Sequence, residues 1–214
     1  MKFTKTLKLL CAVTALTLTI GMLSGCGSDS TDSSASTGVE TKSIVYDGVV
    51  PEDGPTVKFT MEDGESFTIV CAPEYAPATV ENFLTLVGDG FYDGLTFHRV
   101  LDGFVAQGGD PLGTGTGGSD KNIPGEFADN GFTDNTLPHL RGSVAMARAM
   151  DPNSATSQFY ICYDEQDYLN GSYAVFGQVT EGMEVIDAFL DVPRDTQGMP
   201  ETPIVIEKAE IISE

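Results

Sequence analysis

The sequence has no tryptophan, only two histidines and four cysteines, and few basic side chains. Two histidines are too few to indicate a zinc site, since zinc is held mainly by histidine and cysteine, and no metal or cofactor is predicted. Eleven lysines and arginines stand against 32 aspartates and glutamates, a net charge of −21 over 214 residues. Because nucleic acids and anionic lipids attract positive surfaces, this balance argues against either as a binding partner.

The N-terminus has the layout of an export signal. Three lysines precede an uncharged apolar run from Leu9 to Leu23, which is shorter than the roughly 20 residues of a membrane-spanning helix. The run ends in Leu-Ser-Gly-Cys26, which resembles the bacterial lipoprotein processing box. We predict a signal peptide over residues 1–25 and lipid attachment at Cys26, which would hold the protein on the membrane outside the cytoplasm, in a bacterial cell envelope. The alternatives are an uncleaved anchor helix and a signal with a chance cysteine.

Residues 26–54 are predicted to form a flexible tether. From Gly27 to about Lys42 the chain consists mostly of serine, threonine, aspartate and glycine, and such a segment cannot bury enough apolar surface to fold. Residues 43–54 are open between a further linker and a first irregular segment of the domain. The length of the remainder, residues 55–214, predicts one folded domain.

That domain alternates short β-type runs with turn signals, and two segments have helical periodicity. In 77–88 apolar residues recur at i, i+3, i+4 and i+7 from Val80, with Pro77 at the start and Gly88 at the end. Residues 181–191 have a similar apolar face. Eight strands and two helices fit a barrel with helices over its ends, although the pattern alone leaves a β-sandwich open. The predicted strands are 55–61, 66–72, 95–100, 103–108, 142–147, 157–162, 173–180 and 203–212.

The segment from Phe97 to Asp110 carries polar side chains where a buried strand is expected. It predicts two short strands joined at Asp102-Gly103, with Arg99 and Gln107 interleaved among apolar residues. An unpaired buried polar group costs a few kcal/mol. The segment therefore indicates a binding site lined by apolar side chains, with a few donors aimed into it.

Two later segments complete a pattern: Ser143–Arg148 with Asp151–Ile161, and Tyr168–Gly177. In order and spacing, the three segments resemble the signature of the cyclophilin family of peptidyl-prolyl isomerases, over about residues 55–213. The resemblance implies a mainly β fold, a closed eight-stranded antiparallel barrel capped by two α-helices. It also implies proline-containing polypeptides as substrates and no cofactor. We expect a monomer.

The predicted function is acceleration of X-Pro bond rotation in exported proteins. Amide rotation faces a barrier of about 18–20 kcal/mol, and a site that binds the twisted amide better than either planar form lowers it. The alternative is a non-catalytic cell-surface module that binds proline-containing peptides or acts as a chaperone. The joint presence of Arg99, Phe104 and Gln107 argues against that alternative. A hydrolase using His98 lacks a nucleophile.

The resemblance also assigns roles to residues. Arg99 is expected to donate to the proline nitrogen, Gln107 to orient Arg99 and a substrate carbonyl, and Phe104 to form the proline pocket. The other substrate-binding positions that it implies are Val105, Gly115, Ala147, Arg148, Ala149, Gln158, Tyr160, Tyr168, Leu169 and Tyr173.

Five of these positions depart from the residues usual in the family. Val105 stands for methionine and Tyr160 for phenylalanine, while Arg148 stands where asparagine is frequent and is expected to contact substrate mainly through its backbone. Tyr168 replaces tryptophan and Tyr173 replaces histidine. Because both keep an aromatic ring with a polar tip, the resemblance implies isomerase activity but weak binding of cyclosporin.

Three further features of the sequence do not by themselves indicate a functional site. Cys71 and Cys162 lie in apolar runs and predict either a disulfide, as exported proteins can form, or two buried thiols. The glycine-rich stretch 113–118 has the spacing of a dinucleotide-binding motif but not its strand and helix, so a flexible loop is expected. His98 is expected to be a hydrogen-bonded structural histidine beside Arg99.

Overall fold

The computed structural model describes residues 43–213, so the predicted signal peptide, Cys26 and the tether up to residue 42 lie outside the described residues. The described part contains helices α1 (Pro77–Gly88) and α2 (Met183–Ala188), the latter continued by a 3-10 turn over Phe189–Asp191. None of its helices is long and apolar enough to cross a membrane. The strands are β1 (Thr56–Met61), β2 (Ser66–Cys71), β3 (Thr96–Val100), β4 (Val105–Asp110), β5 (Ser143–Met146), β6 (Phe159–Cys162), β7 (Val175–Glu181) and β8 (Ile206–Ser213).

The eight strands form one antiparallel sheet in the order β3-β4-β6-β5-β7-β2-β1-β8. The predicted closed barrel is wrong, because the two edge strands do not form a continuous ladder and the sheet is a curled half-barrel. The edges meet only at the bridge between Thr96 and Val205 and at a few backbone bonds beside it, such as Phe97 N to Ile204 O at 3.0 Å.

Helix α1 begins and ends where the sequence predicts. Pro77 occupies its first turn, and no side chain of the preceding residue caps it. Instead the carboxylate of the buried Glu126 accepts hydrogen bonds from the backbone N–H groups of Ala78 and Thr79, at 2.9 and 2.8 Å. These two bonds satisfy donors that every helix N-terminus leaves free and place a negative charge at the positive end of the helix dipole.

Two apolar clusters lie on opposite faces of the sheet. The larger one fills the concave side, where Phe59 stacks on Phe67 with ring centroids 5.0 Å apart and Phe83 packs on Phe176 at 4.9 Å. The smaller one lies on the other face and combines buried residues of β4, β5, β6 and β7. Each fully buried phenylalanine contributes about 1.5–3 kcal/mol, so the larger cluster stabilises the fold. The smaller cluster supports the candidate site.

Residues 43–54 have no regular secondary structure but lie against the domain. The backbone N–H of Gly48 donates to Thr136 O at 3.1 Å, and Val50 packs against the smaller apolar cluster. Tyr46 lies close to Gly171, whose lack of a side chain leaves room for the phenol. The structure therefore favours the first irregular segment over the further linker for these residues.

Cys71 and Cys162 are free thiols, both buried, so the structure selects the second of the two alternatives left open by the sequence. Burial raises the pKa of each thiol to about 12. Since the thiolate is the reactive form of cysteine, neither side chain is a nucleophile at neutral pH.

Candidate active site

A β-bulge in β3 sets the direction of Arg99. Phe97 pairs with Gly108 and Arg99 pairs with Gln107, so His98 is an extra residue without a partner on β4. Strict alternation would place Phe97 and Arg99 on the same face. The bulge instead leaves Phe97 in the larger apolar cluster and turns Arg99 outward, which is a common use of bulges beside functional sites.

Arg99 heads a row of residues that crosses the outer face of the sheet. It lies opposite Gln107 on β4, which lies opposite Tyr160 on β6, which in turn lies opposite Ala145 on β5. Directly opposed residues on neighbouring strands have their side chains on one face. The register therefore brings together the arginine, the glutamine and one predicted pocket residue, which are 61 positions apart at most in sequence.

The guanidinium of Arg99 has most of its donors unused. Within residues 43–213 it makes one long hydrogen bond, from Nη1 to Gln107 Oε1 at 3.4 Å, and its Cζ lies 5.4 Å from the centre of the Phe104 ring. Gln107 is held more firmly, since its Nε2 donates to Gln158 Oε1 at 2.9 Å, and Gln158 Nε2 donates to Gly117 O at 2.7 Å. The amide chain thus orients Gln107, while Arg99 remains available to a ligand.

Beside Arg99 lies a cavity of about 210 Å³. It is open to solvent. Phe104, Val105 and Leu169 give it apolar walls, while Arg99, Gln107 and Arg148 contribute polar groups. It brings together nine of the thirteen residues predicted from the resemblance. Its lining residues are Arg99, Phe104, Val105, Gln107, Ala147, Arg148, Tyr160, Leu169 and Tyr173.

A second cavity of about 480 Å³ adjoins the first and shares Gln107, Ala147 and Arg148 with it. Three more predicted residues, Gly115, Ala149 and Gln158, line this larger cavity. The remaining walls were not predicted. They are Thr116, Gly117, Gly118, Ser119, Ser154 and Thr156.

The glycine-rich loop of the larger cavity is tied down by the buried carboxylate of Asp110. Its oxygens accept backbone hydrogen bonds from Leu112 at 2.8 Å, Thr114 at 3.0 Å and Gly115 at 2.6 Å. Burial would raise the pKa of Asp110, but these backbone donors, with that of Gly117, outweigh it and hold the pKa below its ordinary value. An aspartate directly before a glycine-rich turn is the sequence signal for such an anchor.

Tyr168 and Arg148 occupy the rim in different ways. Tyr168 lines neither cavity; its side chain is 68% exposed and stacks on Phe104 with centroids 6.3 Å apart. The guanidinium of Arg148 is folded between the rings of Phe127 and Tyr173, at 5.0 and 4.6 Å. It also donates to the backbone oxygen of Ser172 from Nε and Nη2, so this side chain has a structural role beside the pocket.

His98 does not have the hydrogen bonds predicted for it. The residue is buried, and neither ring nitrogen has a partner in the described structure. Burial lowers the pKa of His98; Asp110 opposes this shift and Arg99 adds to it. The bulge explains the difference, because it turns the imidazole under Gly115, where no donor or acceptor faces it.

His139, which the sequence did not single out, lies fully buried behind the smaller cavity. Its Nδ1 lies 2.9 Å from Asn170 Oδ1, and its Nε2 lies 3.0 Å from the hydroxyl of Tyr160. Burial lowers the pKa of His139 to about 4, against a smaller opposing effect of the bond to Asn170. The imidazole is therefore neutral at physiological pH.

The arrangement is that of a binding groove with one free cation. It has a small cavity with apolar walls on one side, a guanidinium at its edge, and a row of amide donors and acceptors leading to a second cavity. Among the described residues, both thiols are buried with raised pKa values and both histidines are buried, so none of these side chains is presented to the groove as a nucleophile. Such a site can bind an extended polypeptide and polarise one of its amides without forming a covalent bond.

Comparison with known proteins agrees with this description. The family model of the cyclophilin type peptidyl-prolyl cis-trans isomerases matches residues 56–211, and the chain belongs to that family. It is 48% identical over 126 residues to peptidyl-prolyl cis-trans isomerase B of Bacillus subtilis strain 168, covering 59% of this chain and 84% of the relative. It is 40% identical over 153 residues to peptidyl-prolyl cis-trans isomerase-like 1 of Neurospora crassa, covering 70% and 90%.

Solved structures give the same result for the fold. A cyclophilin type peptidyl-prolyl cis-trans isomerase of Cryptosporidium parvum superposes with a TM-score of 0.67 at 31% identity, covering 75% of this chain and 98% of that one. The same protein in the presence of the dipeptide Ala-Pro gives a TM-score of 0.66 at 32% identity, covering 74% and 99%. The chain is thus a cyclophilin-type peptidyl-prolyl cis-trans isomerase, and its substrates are proline-containing polypeptides.

Proposed function

We propose that this isomerase acts as a monomer on exported proteins, held on the outer side of a bacterial membrane by lipid on Cys26. The observation that carries the proposal is the position of Cys26, directly after Ser-Gly at the end of an uncharged apolar run. The acidic surface supports it, because a net charge of −21 keeps the domain soluble and off anionic headgroups. Acyl chains, at about 0.8 kcal/mol per buried CH₂, would then supply the attachment that the domain surface does not.

The chemistry is assigned to Arg99. As an X-Pro amide twists, its nitrogen loses resonance with the carbonyl and gains a lone pair that can accept a hydrogen bond. The guanidinium at the edge of the smaller cavity has donors free for that nitrogen, and a charge-assisted bond of this kind is stronger than a neutral one. The bond is available only to the twisted amide, so it lowers the barrier rather than merely tightening binding.

The smaller cavity holds the proline ring. Phe104, Val105, Leu169 and Tyr160 provide apolar walls, which desolvate the ring in all its states. Gln107 is oriented by Gln158 and is placed to hold a substrate carbonyl while the other side of the bond rotates. Residues on either side of the proline extend into the larger cavity and over Tyr168.

The decisive experiment is a proline-peptide isomerisation assay on residues 43–214. The structure supports this fragment, since residues 42–214 form one compact unit. A rate above the thermal exchange, which takes tens to hundreds of seconds without catalyst, is the expected result. Binding of proline peptides without any acceleration would instead establish the non-catalytic module.

The lipid anchor predicts the behaviour of Cys26→Ser. Without the thiol no diacylglycerol is attached, so an unprocessed longer precursor is expected in place of the acylated form. Mass spectrometry of the membrane fraction measures this directly. Cys11→Ser, within the apolar run of the signal, is the matched control and leaves processing intact. An unmodified Cys26 at the start of a mature, membrane-bound protein would contradict the anchor.

The rim predicts low sensitivity to cyclosporin. The phenol of Tyr168 covers less area than the indole usual in the family and directs its donor elsewhere, while substrates depend mainly on the ring pocket and Arg99. Ordinary turnover with weak inhibition is expected. Tyr168→Trp tightens cyclosporin more than it changes kcat/KM, whereas Tyr168→Phe, which lacks any donor, does not. Nanomolar inhibition of the unmodified protein in the isomerase assay would show that this position does not set sensitivity.

A further inference from the structure

We propose that His139 is a positioning residue of the isomerase site, which links the two sides of the proline pocket through a buried hydrogen-bond chain from Asn170 to Tyr160. The proposal rests on the assignment of the smaller cavity to the proline ring. One end of the chain is Tyr160, which lines that cavity from β6. The other end is Asn170, which directly follows the cavity residue Leu169 at the end of a 3-10 turn.

The hydrogen bonds fix every donor and acceptor in the chain. The backbone N–H of His139 donates to Asn170 Oδ1 at 2.9 Å, which identifies that atom as the carbonyl oxygen, since an amide nitrogen cannot accept. The same oxygen lies 2.9 Å from His139 Nδ1, so Nδ1 carries the proton. Nε2 is then the bare nitrogen and accepts the O–H of Tyr160 at 3.0 Å.

This chain joins elements that are distant in sequence. Tyr160 belongs to the sheet, whereas Leu169 and Asn170 belong to a turn packed on it, and His139 precedes β5. The backbone oxygen of His139 also accepts a bond from Gln166 N at 2.8 Å, at the start of that turn. Residue 139 therefore holds the turn at both ends, with its backbone oxygen at Gln166 and its backbone N–H and imidazole at Asn170. The imidazole extends this hold to the Tyr160 wall.

The chain depends on the hydroxyl of residue 160. Phenylalanine is usual there and could not bond to His139, so Nε2 would be left unpaired in a fully buried place. A buried donor or acceptor without a partner destabilises the folded state. A buried hydrogen-bond network whose donors and acceptors are all paired holds its side chains in one arrangement. In this pocket it fixes the distance between the Tyr160 and Leu169 walls.

Asn170 offers a pair of variants that isolate the chain. Asn170→Ala removes the acceptor for both donors of His139, while Asn170→Asp keeps an oxygen in its place. Both variants equally lose the exposed bond from Asn170 Nδ2 to Asp167 at 3.3 Å. The pair therefore differs in the acceptor for His139 and in the charge that the aspartate adds beside the exposed Asp167. Urea unfolding of each variant confirms that the comparison is made on folded protein.

The expected result is a split between KM and kcat. The pocket walls bind the ring in planar and twisted states alike, so their displacement in Asn170→Ala raises KM about fivefold while kcat stays within about twofold. Asn170→Asp restores KM at pH 8. Equal KM values in Asn170→Ala and the unmodified protein, both folded, would overturn the proposal.

The pH profile gives a readout that a merely structural asparagine would not move. The groups facing the imidazole are the Tyr160 hydroxyl from β6 and Asn170 from the turn, with Asp167 behind it. A carboxylate at 170 raises the pKa of His139. The imidazolium donates to the Tyr160 oxygen instead of accepting its proton, which leaves the buried phenol O–H without an acceptor. KM of Asn170→Asp therefore rises as the pH falls from 8 to 5.5, with a peptide substrate that has no ionisable side chain, while KM of the unmodified protein stays flat. A KM that does not change with pH in either protein would contradict the proposed hydrogen-bond chain.

Nitrogen-15 NMR of the histidines tests the tautomer in the unmodified protein. A protonated Nδ1 and a bare Nε2 are expected for His139, and the opposite tautomer would overturn the assignment. Arg99→Ala, measured in the same assay, separates this proposal from the site itself. If Arg99→Ala keeps its activity, the assignment of the site is overturned. If Arg99→Ala loses activity but Asn170→Ala has an unchanged KM, only the positioning role of His139 is overturned.

Discussion

Replacing Arg99 with alanine is expected to lower kcat/KM by about 10²–10³-fold, which is the usual effect of removing one donor that stabilises a transition state. The guanidinium is the free cation at the edge of the smaller cavity, and the bond proposed for it to the twisted nitrogen would have no counterpart in the planar substrate. Most of the loss should therefore fall on kcat. A protease-coupled or NMR exchange assay on an Ala-Pro peptide measures it.

Arg99→Lys is the matched control for charge. It keeps a cation but replaces the planar fork of donors with a single flexible ammonium, so an intermediate rate is expected. The melting temperature should shift little in either variant, because Arg99 is only partly buried and its one hydrogen bond, to Gln107, is 3.4 Å long. A folded Arg99→Ala variant with unchanged kcat/KM would remove Arg99 from the mechanism.

Local patterns were enough to predict most elements of the fold. Helix α1 begins at Pro77 and ends at Gly88 as expected, because an apolar stripe with proline at one end and glycine at the other is a local signal. Each predicted strand coincides with an observed one to within three residues. The second helix is shorter than the periodicity of residues 181–191 suggests, since its last turn is a 3-10 turn over Phe189–Asp191.

What the sequence could not show depends on contacts between distant segments. The bulge at His98 requires the register of β3 against β4, and without it the alternation of Phe97, His98 and Arg99 gives the wrong face for one of them. The interruption between β3 and β8 depends on how two edge strands about a hundred residues apart in sequence come together. Neither feature changes the pattern of apolar and polar residues in the sequence.

The same distinction applies to the site. The nine residues around the smaller cavity were implied by the resemblance, since they occupy positions of a recognisable motif. His139 contacts Tyr160, and Asp110 binds the glycine-rich loop, from outside the smaller cavity. The sequence around such a residue does not show whether its buried side chain supports a site or only the fold. The role of His139 follows from a hydrogen bond to a residue 21 positions away. The role of Asp110 follows from the folded shape of the loop that it binds.

The buried imidazole of His139 predicts a loss of stability in acid. Its pKa is about 4 in the folded protein against an ordinary value of 6.5, so the unfolded chain takes up the proton first as the pH falls. The free energy of unfolding is therefore unaffected by this group above about pH 6.5 and decreases between there and pH 4. At about 1.4 kcal/mol for each pKa unit, the decrease is on the order of 3 kcal/mol.

Urea unfolding at a series of pH values between 7 and 4 measures this loss, and His139→Gln isolates it. The many carboxylates titrate in both proteins, so the difference in slope between them reports the imidazole alone. The variant, which has no proton to take up at this position, should lose about 2–3 kcal/mol less over the interval. His98→Gln is the companion control: burial also lowers the pKa of His98, so it should flatten the profile in the same direction and independently, because the two imidazoles share no partner. Identical slopes in His139→Gln and the unmodified protein would show that the imidazole is already protonated, or exposed, in the folded state.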